Sequence, residues 1–342
     1  MKITVNKPCF VCGSTNSQLL FEREYPSLHY SGKFAIRKCY KCGLLFNSPR
    51  LPDEELCNLY DANYYFFQRH DLDEFQRTSD VFLRTVALIQ NEIIERRVAE
   101  IGSARGYLLA LLKRLGWSVQ GIEISAEASE YAISRFGVPT FTGTIEDYSN
   151  SNHKDIFPVV LAIDIIEHVP NPIYFLNSVD KILSNKGLLV IDTPNGNSQN
   201  IEYLGSKWEG FNPFHIYVFS SHILQSLLIN MGYSIEKCFS YGNKREYNST
   251  NSEELKLKEI LQSLLLRLGV FYPIKFVYRR LTNLAKQREK DVESLFSNAI
   301  EIIRNSPTYL DTDDTRDDLA KEIRGDNIVI IARKNRLTRR ST

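Results

Sequence analysis

Two pairs of cysteines near the start of the chain have the spacing of a metal site. Cys9 and Cys12 form one Cys-x-x-Cys pair, Cys39 and Cys42 form the other, and a glycine follows each pair. Glycine tolerates the positive φ that the backbone needs just after the second thiolate of such a turn. Four thiolates complete the tetrahedral shell of a zinc ion and leave no position for water, so the expected site is structural. The alternative is a pair of reduced thiol turns without metal.

Carboxylates at the ends of two candidate strands form a second group of candidate functional residues. Glu100 ends an apolar segment that continues into a turn containing Gly102 and Gly106, and Glu123 ends the next apolar segment. Acids at the carboxyl ends of neighbouring parallel strands, with a glycine turn between them, are typical of a nucleoside-binding crevice. A dinucleotide site is a weaker interpretation, because these two glycines do not reproduce the Gly-x-Gly-x-x-Gly spacing.

Two histidines are candidate general bases. His168 follows the fourth predicted strand of the main domain and His215 follows the fifth, so both fall at the carboxyl edge of the predicted sheet. The pKa of histidine lies near neutrality, which suits a group that accepts a proton during catalysis. Each also has a structural interpretation, in which His168 bonds its own turn and His215 holds the helix that begins near Ser220. We favour His215 as the base.

Strands alternate with helices over the main part of the chain, which predicts an α/β fold with helices on both faces of a parallel sheet. Apolar runs predict strands over 97–101, 118–124, 140–142, 159–164, 187–193, 234–240 and 327–333. Amphipathic periodicity predicts helices over 105–115, 126–136, 171–183 and 220–231. The last strand is separated from the others by a long segment with helical patterning.

These elements divide the chain into four predicted parts. They are a zinc-binding module over 1–50, a helical connector or lid over 51–96, the main domain over 97–240 with 326–335, and a helical insertion over 241–325. Within the connector and the insertion, helices are predicted over 53–60, 79–95, 252–268 and 274–304. The insertion before the last strand is expected to cap the substrate crevice or to dimerise.

Composition and charge exclude several function classes. The chain has 342 residues, 43% of them apolar, and a net charge of +1, which gives no overall attraction to nucleic acid. It contains no run of 18 apolar residues that predicts a transmembrane helix, and its N-terminus lacks the apolar core of a signal peptide. We therefore expect a cytoplasmic protein. Peripheral membrane contact stays open for the aromatic and basic segment 271–280.

The order and spacing of five short motifs resemble class I S-adenosylmethionine-dependent methyltransferases. More narrowly, they resemble the zinc-containing, sugar-type enzymes of bacterial antibiotic and surface-polysaccharide pathways. The matching motifs are Glu100-Ile-Gly-Ser-Ala-Arg-Gly106, Gly121-Ile-Glu123, Asp164-Ile-Ile-Glu167-His168-Val-Pro170, Thr193-Pro-Asn195 and His215-Ile-Tyr-Val-Phe219 before a serine-capped helix. Ala104 replaces the middle glycine of the family's first motif, which adds only a methyl group. The resemblance implies a Rossmann-like methyltransferase sheet.

The resemblance also implies roles for individual residues. Cofactor binding is implied for Glu100, Gly102, Ser103, Ala104, Gly106, Glu123, Ile124, Ile145, Glu146, Asp147 and Asp164. Catalysis is implied for His215, His168 and Glu167, and contact with the acceptor for Tyr64, Tyr65, Asn195 and Trp208. For Glu146 and Asp147 a solvated turn is the alternative. The implied cofactors are S-adenosylmethionine and a structural Zn²⁺ on the four paired cysteines.

One departure from the family's motif narrows the type of atom that is expected to accept the methyl group. In carbon-methylating sugar relatives a glutamate precedes the histidine, whereas here Phe214 precedes His215. This favours oxygen or nitrogen methylation of a sugar, nucleotide sugar or glycan. Two other classes stay open: an RNA-modifying methyltransferase that grips nucleic acid with its zinc module, and a non-catalytic assembly protein with the methyltransferase fold. Binding to bulk RNA and its salt dependence separate the first of these.

Overall fold

The computed structural model describes residues 7–26, 31–50, 52, 53, 56, 71–90, 94–151, 155–242, 292–305 and 323–335. Its strands are β1 (Ser17–Pro26), β2 (Ser31–Cys39), β3 (Leu45–Asn47), β4 (Arg97–Ile101), β5 (Ser118–Glu123), β6 (Thr140–Thr142), β7 (Phe157–Ile163), β8 (Leu183–Pro194), β9 (Tyr217–Val218), β10 (Tyr233–Tyr241) and β11 (Asn327–Lys334). Its helices are α1 (Asp71–Gln90), α2 (Tyr107–Arg114), α3 (Ala126–Phe136), α4 (Ile145–Asn150), α5 (Pro172–Ile182), α6 (Gln199–Leu204), α7 (Ser221–Asn230) and α8 (Val292–Asn305).

A seven-stranded sheet in the order β10-β11-β8-β7-β4-β5-β6 forms the centre of the molecule. Its strands β8, β7, β4, β5 and β6 run parallel, but β11 is antiparallel to both β8 and β10. The expectation of a wholly parallel sheet is therefore wrong for β11. The reason lies in the register: Tyr241 at the end of β10 pairs with Asn327 at the start of β11. A strand that enters at the edge where its neighbour ends must run in the opposite direction.

Both faces of this sheet are buried, each in its own core. In β7, Val160 and Ala162 pack into one core, while Val159 and Leu161 pack into the other. Alternation of side chains across a strand places these neighbours on opposite faces. Since both faces are covered, β7 is apolar throughout, as is typical of strands in doubly covered sheets.

Polar caps start several helices at the carboxyl edge of the sheet. Ser125 caps α3, Asn171 caps α5 ahead of Pro172, and Ser220 caps α7; in each case the side chain accepts a hydrogen bond from a backbone N–H of the first turn. Such caps satisfy donors that have no partner within the helix. Helix α1 begins at Asp71, eight residues before the position that the sequence pattern indicated.

The cysteine-bearing segment forms a second sheet that extends into the main domain. Strands β1, β2 and β3 are joined by β9, in the order β1-β2-β3-β9. Phe46 of β3 pairs with Tyr217 of β9, which belongs to the loop that follows the fifth main-domain strand. The predicted module over 1–50 is thus completed by residues from beyond it, a pairing that no local pattern indicates.

Several sequence-based predictions fall outside the described residues. These are the acceptor contacts of Tyr64 and Tyr65, the helices predicted over 252–268 and most of 53–60 and 274–304, and the membrane contact of 271–280. Of the predicted insertion, α8 is described, and its Phe296 packs in the core beside α2. Among the described residues, no helix has the length and apolar character to cross a membrane.

Candidate functional site

The turn between β4 and α2 brings the backbone close to neighbouring elements. Gly102, Ala104 and Gly106 all have positive φ, at 69°, 45° and 76°. A Cβ on Gly102 would collide with the side chain of Ile165, and one on Gly106 would lie 2.8 Å from the Cβ of Ala132. Glycine is therefore required at 102 and 106 by space as well as by backbone conformation. Ala104 occupies the left-handed region with a methyl group, at a cost in strain.

Glu123, at the end of the neighbouring strand β5, bonds to the backbone of this turn. One of its carboxylate oxygens accepts a hydrogen bond from the N–H of Ala104 at 2.8 Å, and the other accepts one from the N–H of Ser125 at 2.8 Å. The first bond offsets part of the strain at Ala104. Burial raises the pKa of Glu123, and these backbone donors act in the opposite direction. A carboxylate held between two turns at the edge of the sheet suits the two hydroxyls of a ribose.

Glu100 is the most isolated acid of the site. It is 6% exposed, and its Oε2 has no hydrogen-bond partner among the described residues. Burial, together with the nearby charge of Glu123, raises the pKa of Glu100 to about 8. A buried oxygen without a donor is costly, so this position favours a ligand that brings a donor and a positive charge. The ammonium group of S-adenosylmethionine meets both requirements.

The residues implied for the adenine side lie beyond β6, and the structure gives one of them a second role. Ile145 is buried, Glu146 is half-buried and Asp147 is exposed at the start of α4. The carboxylate of Asp147 accepts hydrogen bonds from the N–H and hydroxyl of Thr144, and the hydroxyl of Thr144 caps the helix in return. This capping box explains the acid at 147 without a ligand.

The loops that follow β7 and β8 carry Asp164 and the two histidines. Asp164 is exposed and has a φ of 52°, and its N–H donates to the carbonyl of Asp192 at 2.8 Å. The rings of His168 and His215 lie edge to face with centroids 4.8 Å apart. His168 and His215, 47 positions apart in the sequence, thus come together from the loops that follow β7 and β8.

Both imidazoles are oriented by backbone carbonyls. Nδ1 of His168 lies 2.9 Å from the carbonyl of Phe214, and Nδ1 of His215 lies 2.9 Å from that of Gly210. A carbonyl only accepts, so in each ring Nδ1 carries the hydrogen and Nε2 carries the lone pair. Burial lowers the pKa of His168 to about 3, with a contribution from His215, and burial lowers the pKa of His215 to about 4. Both rings are therefore neutral at physiological pH, and each has a lone pair on Nε2.

Glu167 is fully buried beneath this pair. Its Oε2 accepts a hydrogen bond from the hydroxyl of Thr193 at 2.8 Å, and its Oε1 lies 3.7 Å from Nε2 of His168. Burial and the neighbouring charge of Asp164 raise its pKa well above the usual value. The backbone carbonyl of Glu167 accepts from the N–H of Ile216 at 2.8 Å, which joins the two histidine loops.

Two residues implied to contact the acceptor have side-chain groups that bond within the protein. Asn195 is fully buried, and its side-chain amide donates to the carbonyls of Ile323 and Gly325. Trp208 is 2% exposed, and its indole N–H donates to Asp326 at 2.7 Å. Both side chains hold the segment that leads into β11, and their contact with an acceptor stays a prediction.

The sequence analysis missed a further cluster of polar side chains at the carboxyl edge of the sheet. The phenol of Tyr241 donates to Asp192 at 2.9 Å, and the guanidinium of Arg84 lies 3.6 Å from the centroid of the Tyr241 ring. Burial and the charge of Asp164 raise the pKa of Asp192 to about 7. Asp192 ends a strand as Glu100 does, so the same rule applied to β8 would have found it. Arg84 and Tyr241 lie in no motif.

The four cysteines approach one another as their spacing indicates. Sγ of Cys9 lies 3.5 Å from that of Cys42, and Sγ of Cys12 lies 3.4 Å from that of Cys39. All four sulfur atoms lie within 4.8 Å of one another. Sulfur ligands 2.3 Å from a tetrahedral zinc ion are about 3.8 Å apart, so a small expansion of this cluster fits the metal.

Comparison with known proteins identifies the family. A family model described as a methyltransferase domain matches residues 57–237, which is more than half of the chain. The chain belongs to this methyltransferase family. The matched range runs from residue 57 into β10, so it includes α1, strands β4 to β9 and the first part of β10, but not β11. Membership of this family supports S-adenosylmethionine as the methyl donor.

Relatives of the methyltransferase are distant. A ubiquinone biosynthesis O-methyltransferase of Actinobacillus pleuropneumoniae is 27% identical over 113 residues, which are 31% of this chain and 48% of the relative. A "Probable S-adenosylmethionine-dependent methyltransferase" of Mycobacterium tuberculosis is 26% identical over 174 residues, 51% of this chain and 57% of the relative. The chain thus spans about half the length of these relatives. A solved S-adenosylmethionine-dependent methyltransferase from Archaeoglobus fulgidus has a TM-score of 0.46 and 18% identity, covering 79% of this chain and 100% of that one.

Proposed function

We propose that the methyltransferase transfers a methyl group to a hydroxyl or amine of a small molecule, and that a zinc ion stabilises its N-terminal sheet. The observation that carries the proposal is the pair of neutral imidazoles at the carboxyl edge, each with Nδ1 bonded to a carbonyl. An acceptor hydroxyl or amine must lose a proton as it is methylated, and Nε2 of a neutral imidazole can take it.

The acids of the glycine turn hold the cofactor in this proposal. Oε2 of Glu100 accepts hydrogen bonds from the ammonium group, and Glu123 accepts from the ribose hydroxyls. Gly102, Ser103, Ala104, Gly106 and Asp164 line the turn, and Ile124, Ile145, Glu146 and Asp147 lie on the adenine side. When bound, S-adenosylmethionine supplies an electrophilic methyl group on its sulfonium sulfur.

His215 is the proposed base, with His168 and Glu167 beneath it. Its ring is fixed by the carbonyl of Gly210 and packs on the ring of His168. Holding the acceptor in line with the breaking bond contributes most to the rate, on the order of 7–11 kcal/mol in favourable cases. The hydrogen bond at Nδ1 keeps the lone pair of Nε2 directed away from the loop that carries it.

Oxygen is the favoured acceptor atom. Phe214 stands where carbon-methylating sugar relatives have a glutamate, and the named relative from Actinobacillus pleuropneumoniae is an O-methyltransferase. The order of the five motifs supports a sugar, nucleotide sugar or glycan as the acceptor class. The distances between the four sulfur atoms support the structural zinc ion.

Calorimetry with S-adenosylhomocysteine tests the cofactor site. The wild type should bind it, and Glu123→Ala should weaken binding by about 10-fold to 100-fold, because hydrogen bonds to a charged group are lost. Equal dissociation constants for wild type and variant would show that the ribose lies elsewhere. A radiolabelled methyl-transfer assay on nucleotide sugars, free sugars, phenols and bulk RNA then tests the acceptor; labelling of RNA alone would overturn the small-molecule proposal.

A further inference from the structure

We propose that Glu167, His168 and His215 bind one divalent metal ion, which holds and activates the oxygen of the acceptor. The inference rests on the proposed methyl transfer and assigns a metal site to the same crevice, separate from the cysteine cluster. In the metal-bound enzyme Nε2 of His215 is a ligand, so the ion takes over the role that the proposed function gives to this imidazole as the base. One carboxylate and two imidazoles can each offer one ligand atom, and these atoms lie within 4.8 Å of one another. Ligands around a single ion at about 2.1 Å are about 3 to 3.5 Å apart, so a modest contraction forms the site.

The imidazoles have the orientation found in metal-binding histidines. Such histidines donate their second ring N–H to a carbonyl or carboxylate, which fixes the tautomer and aims the lone pair at the metal. His168 and His215 both do this, through Nδ1 and the carbonyls of Phe214 and Gly210. Two rings oriented in the same way, from loops distant in sequence, match a common ligand better than two independent structural roles.

The carboxylate of Glu167 gives a second, independent indication of a metal site. Glu167 is fully buried, and its Oε1 has no hydrogen-bond partner among the described residues. This oxygen lies 3.7 Å from Nε2 of His168, the nitrogen that carries the lone pair of that ring. Its other oxygen is held by the hydroxyl of Thr193, as ligating carboxylates are held by outer hydrogen bonds. A metal ion gives the buried oxygen the positive partner that the described protein atoms lack.

The backbone makes the arrangement rigid. The carbonyl of Glu167 accepts from the N–H of Ile216, and the side-chain amide of Asn47 donates to the carbonyls of Asn212 and His215. The loop that carries His215 is therefore held both by the turn that carries the other two ligands and by β3 of the cysteine-bearing sheet. Preorganised ligands lose little conformational entropy on binding.

Three protein ligands leave open positions on the ion, which is the arrangement of a catalytic metal site. An acceptor hydroxyl bound there loses its proton to solvent more readily, because the ion stabilises the oxyanion. The oxyanion then forms the new C–O bond as the C–S bond of the sulfonium breaks, and the electron pair remains on sulfur. The products are a methyl ether, a neutral thioether and one proton, and the oxidation state of the ion does not change.

Mn²⁺ is the probe for this site. Imidazole with carboxylate suits borderline and hard first-row ions, whereas four thiolates select Zn²⁺ or other soft ions. Protein loaded with one equivalent of Zn²⁺ is titrated with Mn²⁺, and the electron paramagnetic resonance signal of free Mn²⁺ is followed. One Mn²⁺ should bind to each chain, and Glu167→Gln and His215→Asn should each weaken binding by at least about tenfold. His222→Asn, the same change at an exposed imidazole on α7, should bind as the wild type does.

The wild type also gives a direct spectroscopic result. Pulsed electron paramagnetic resonance of bound Mn²⁺ should show coupling to imidazole nitrogen, which does not depend on the folding of any variant. Absence of nitrogen coupling, or binding that Glu167→Gln and His215→Asn leave unchanged, would overturn the metal site. If S-adenosylhomocysteine binds and methyl transfer survives chelation of every ion outside the cysteine cluster, the metal proposal fails while the proposed function stands. If the cofactor product does not bind to the wild type, the proposed function itself fails.

Discussion

The cysteine cluster and the Glu167-His168-His215 cluster differ in how many donors they bring together. The first has four thiols within 4.8 Å, and the second has one carboxylate and two imidazoles within the same distance. Four donors complete a tetrahedron, so the first cluster can hold a sheet together but cannot bind a substrate. Three donors leave open positions. The comparison indicates a structural region and a catalytic region, and the number of donors separates them.

The two regions are also joined. Asn47, at the end of β3, donates from its side chain to the carbonyls of Asn212 and His215 at 2.9 and 3.0 Å. Phe10, beside the first cysteine pair, packs on Tyr217 with ring centroids 4.4 Å apart. The structural region therefore positions the loop of the catalytic one.

The largest expected effect follows from removing a sulfur ligand. Cys39→Ser should abolish stoichiometric zinc binding and unfold the N-terminal sheet, because a small metal-bound segment derives its folding free energy from the metal. Zinc content by mass spectrometry and near-ultraviolet circular dichroism measure the result. Cys238→Ser, at a buried thiol outside the cluster, is the matched control and should retain the metal. Zinc retained in Cys39→Ser would remove the structural assignment.

The next effect concerns His215. His215→Ala should lower methyl transfer by about 10²-fold to 10⁴-fold, because the acceptor loses the group that removes its proton or that holds the ion stabilising its oxyanion. Binding of S-adenosylhomocysteine and the zinc content should remain near those of the wild type. Full turnover of the true acceptor by the variant would exclude His215 from catalysis.

Asn47 tests the link between the regions. Asn47→Ala removes two hydrogen bonds to the His215 loop, and we expect turnover to fall by about tenfold to 100-fold as the ring loses its position. Zinc content and cofactor affinity should not change, because Asn47 contacts neither site. The Asn47→Asp side chain has no amide N–H to donate, so this variant should not restore turnover. A variant with unaltered turnover would show that the two regions are independent.

The smallest effect is on stability and its pH dependence. Burial and Glu123 raise the pKa of Glu100 from 4.5 to about 8 in the folded protein. Between these values the unfolded chain releases a proton that the folded chain keeps, so stability falls as pH rises from about 4.5 to about 8. Without cofactor, Glu100→Gln should therefore match the wild type in melting temperature near pH 4.5 and exceed it at pH 8. Parallel pH profiles for the two proteins would show that Glu100 ionises normally.

The sequence alone determined the parts of the molecule whose causes are local. Apolar runs and helical periodicity predicted β4 and α3 with their bounds, the serine cap located α7, and Cys-x-x-Cys spacing predicted the sulfur cluster. The motifs around Glu100, Glu123 and His168 indicated the methyltransferase family that the comparisons then showed. In each case a few neighbouring residues carry the information, because capping, turn geometry and strand alternation act over short distances.

Only the tertiary structure decided which distant residues meet. The antiparallel direction of β11, the joining of β9 to the cysteine-bearing sheet, and the bonds of Asn195 and Trp208 to the segment before β11 all depend on long-range pairing. So does the cluster of Arg84, Asp192 and Tyr241. Hydrogen bonds and packing between segments far apart in the chain leave no periodic pattern in either segment, because each partner is satisfied by the other and not by its sequence neighbours.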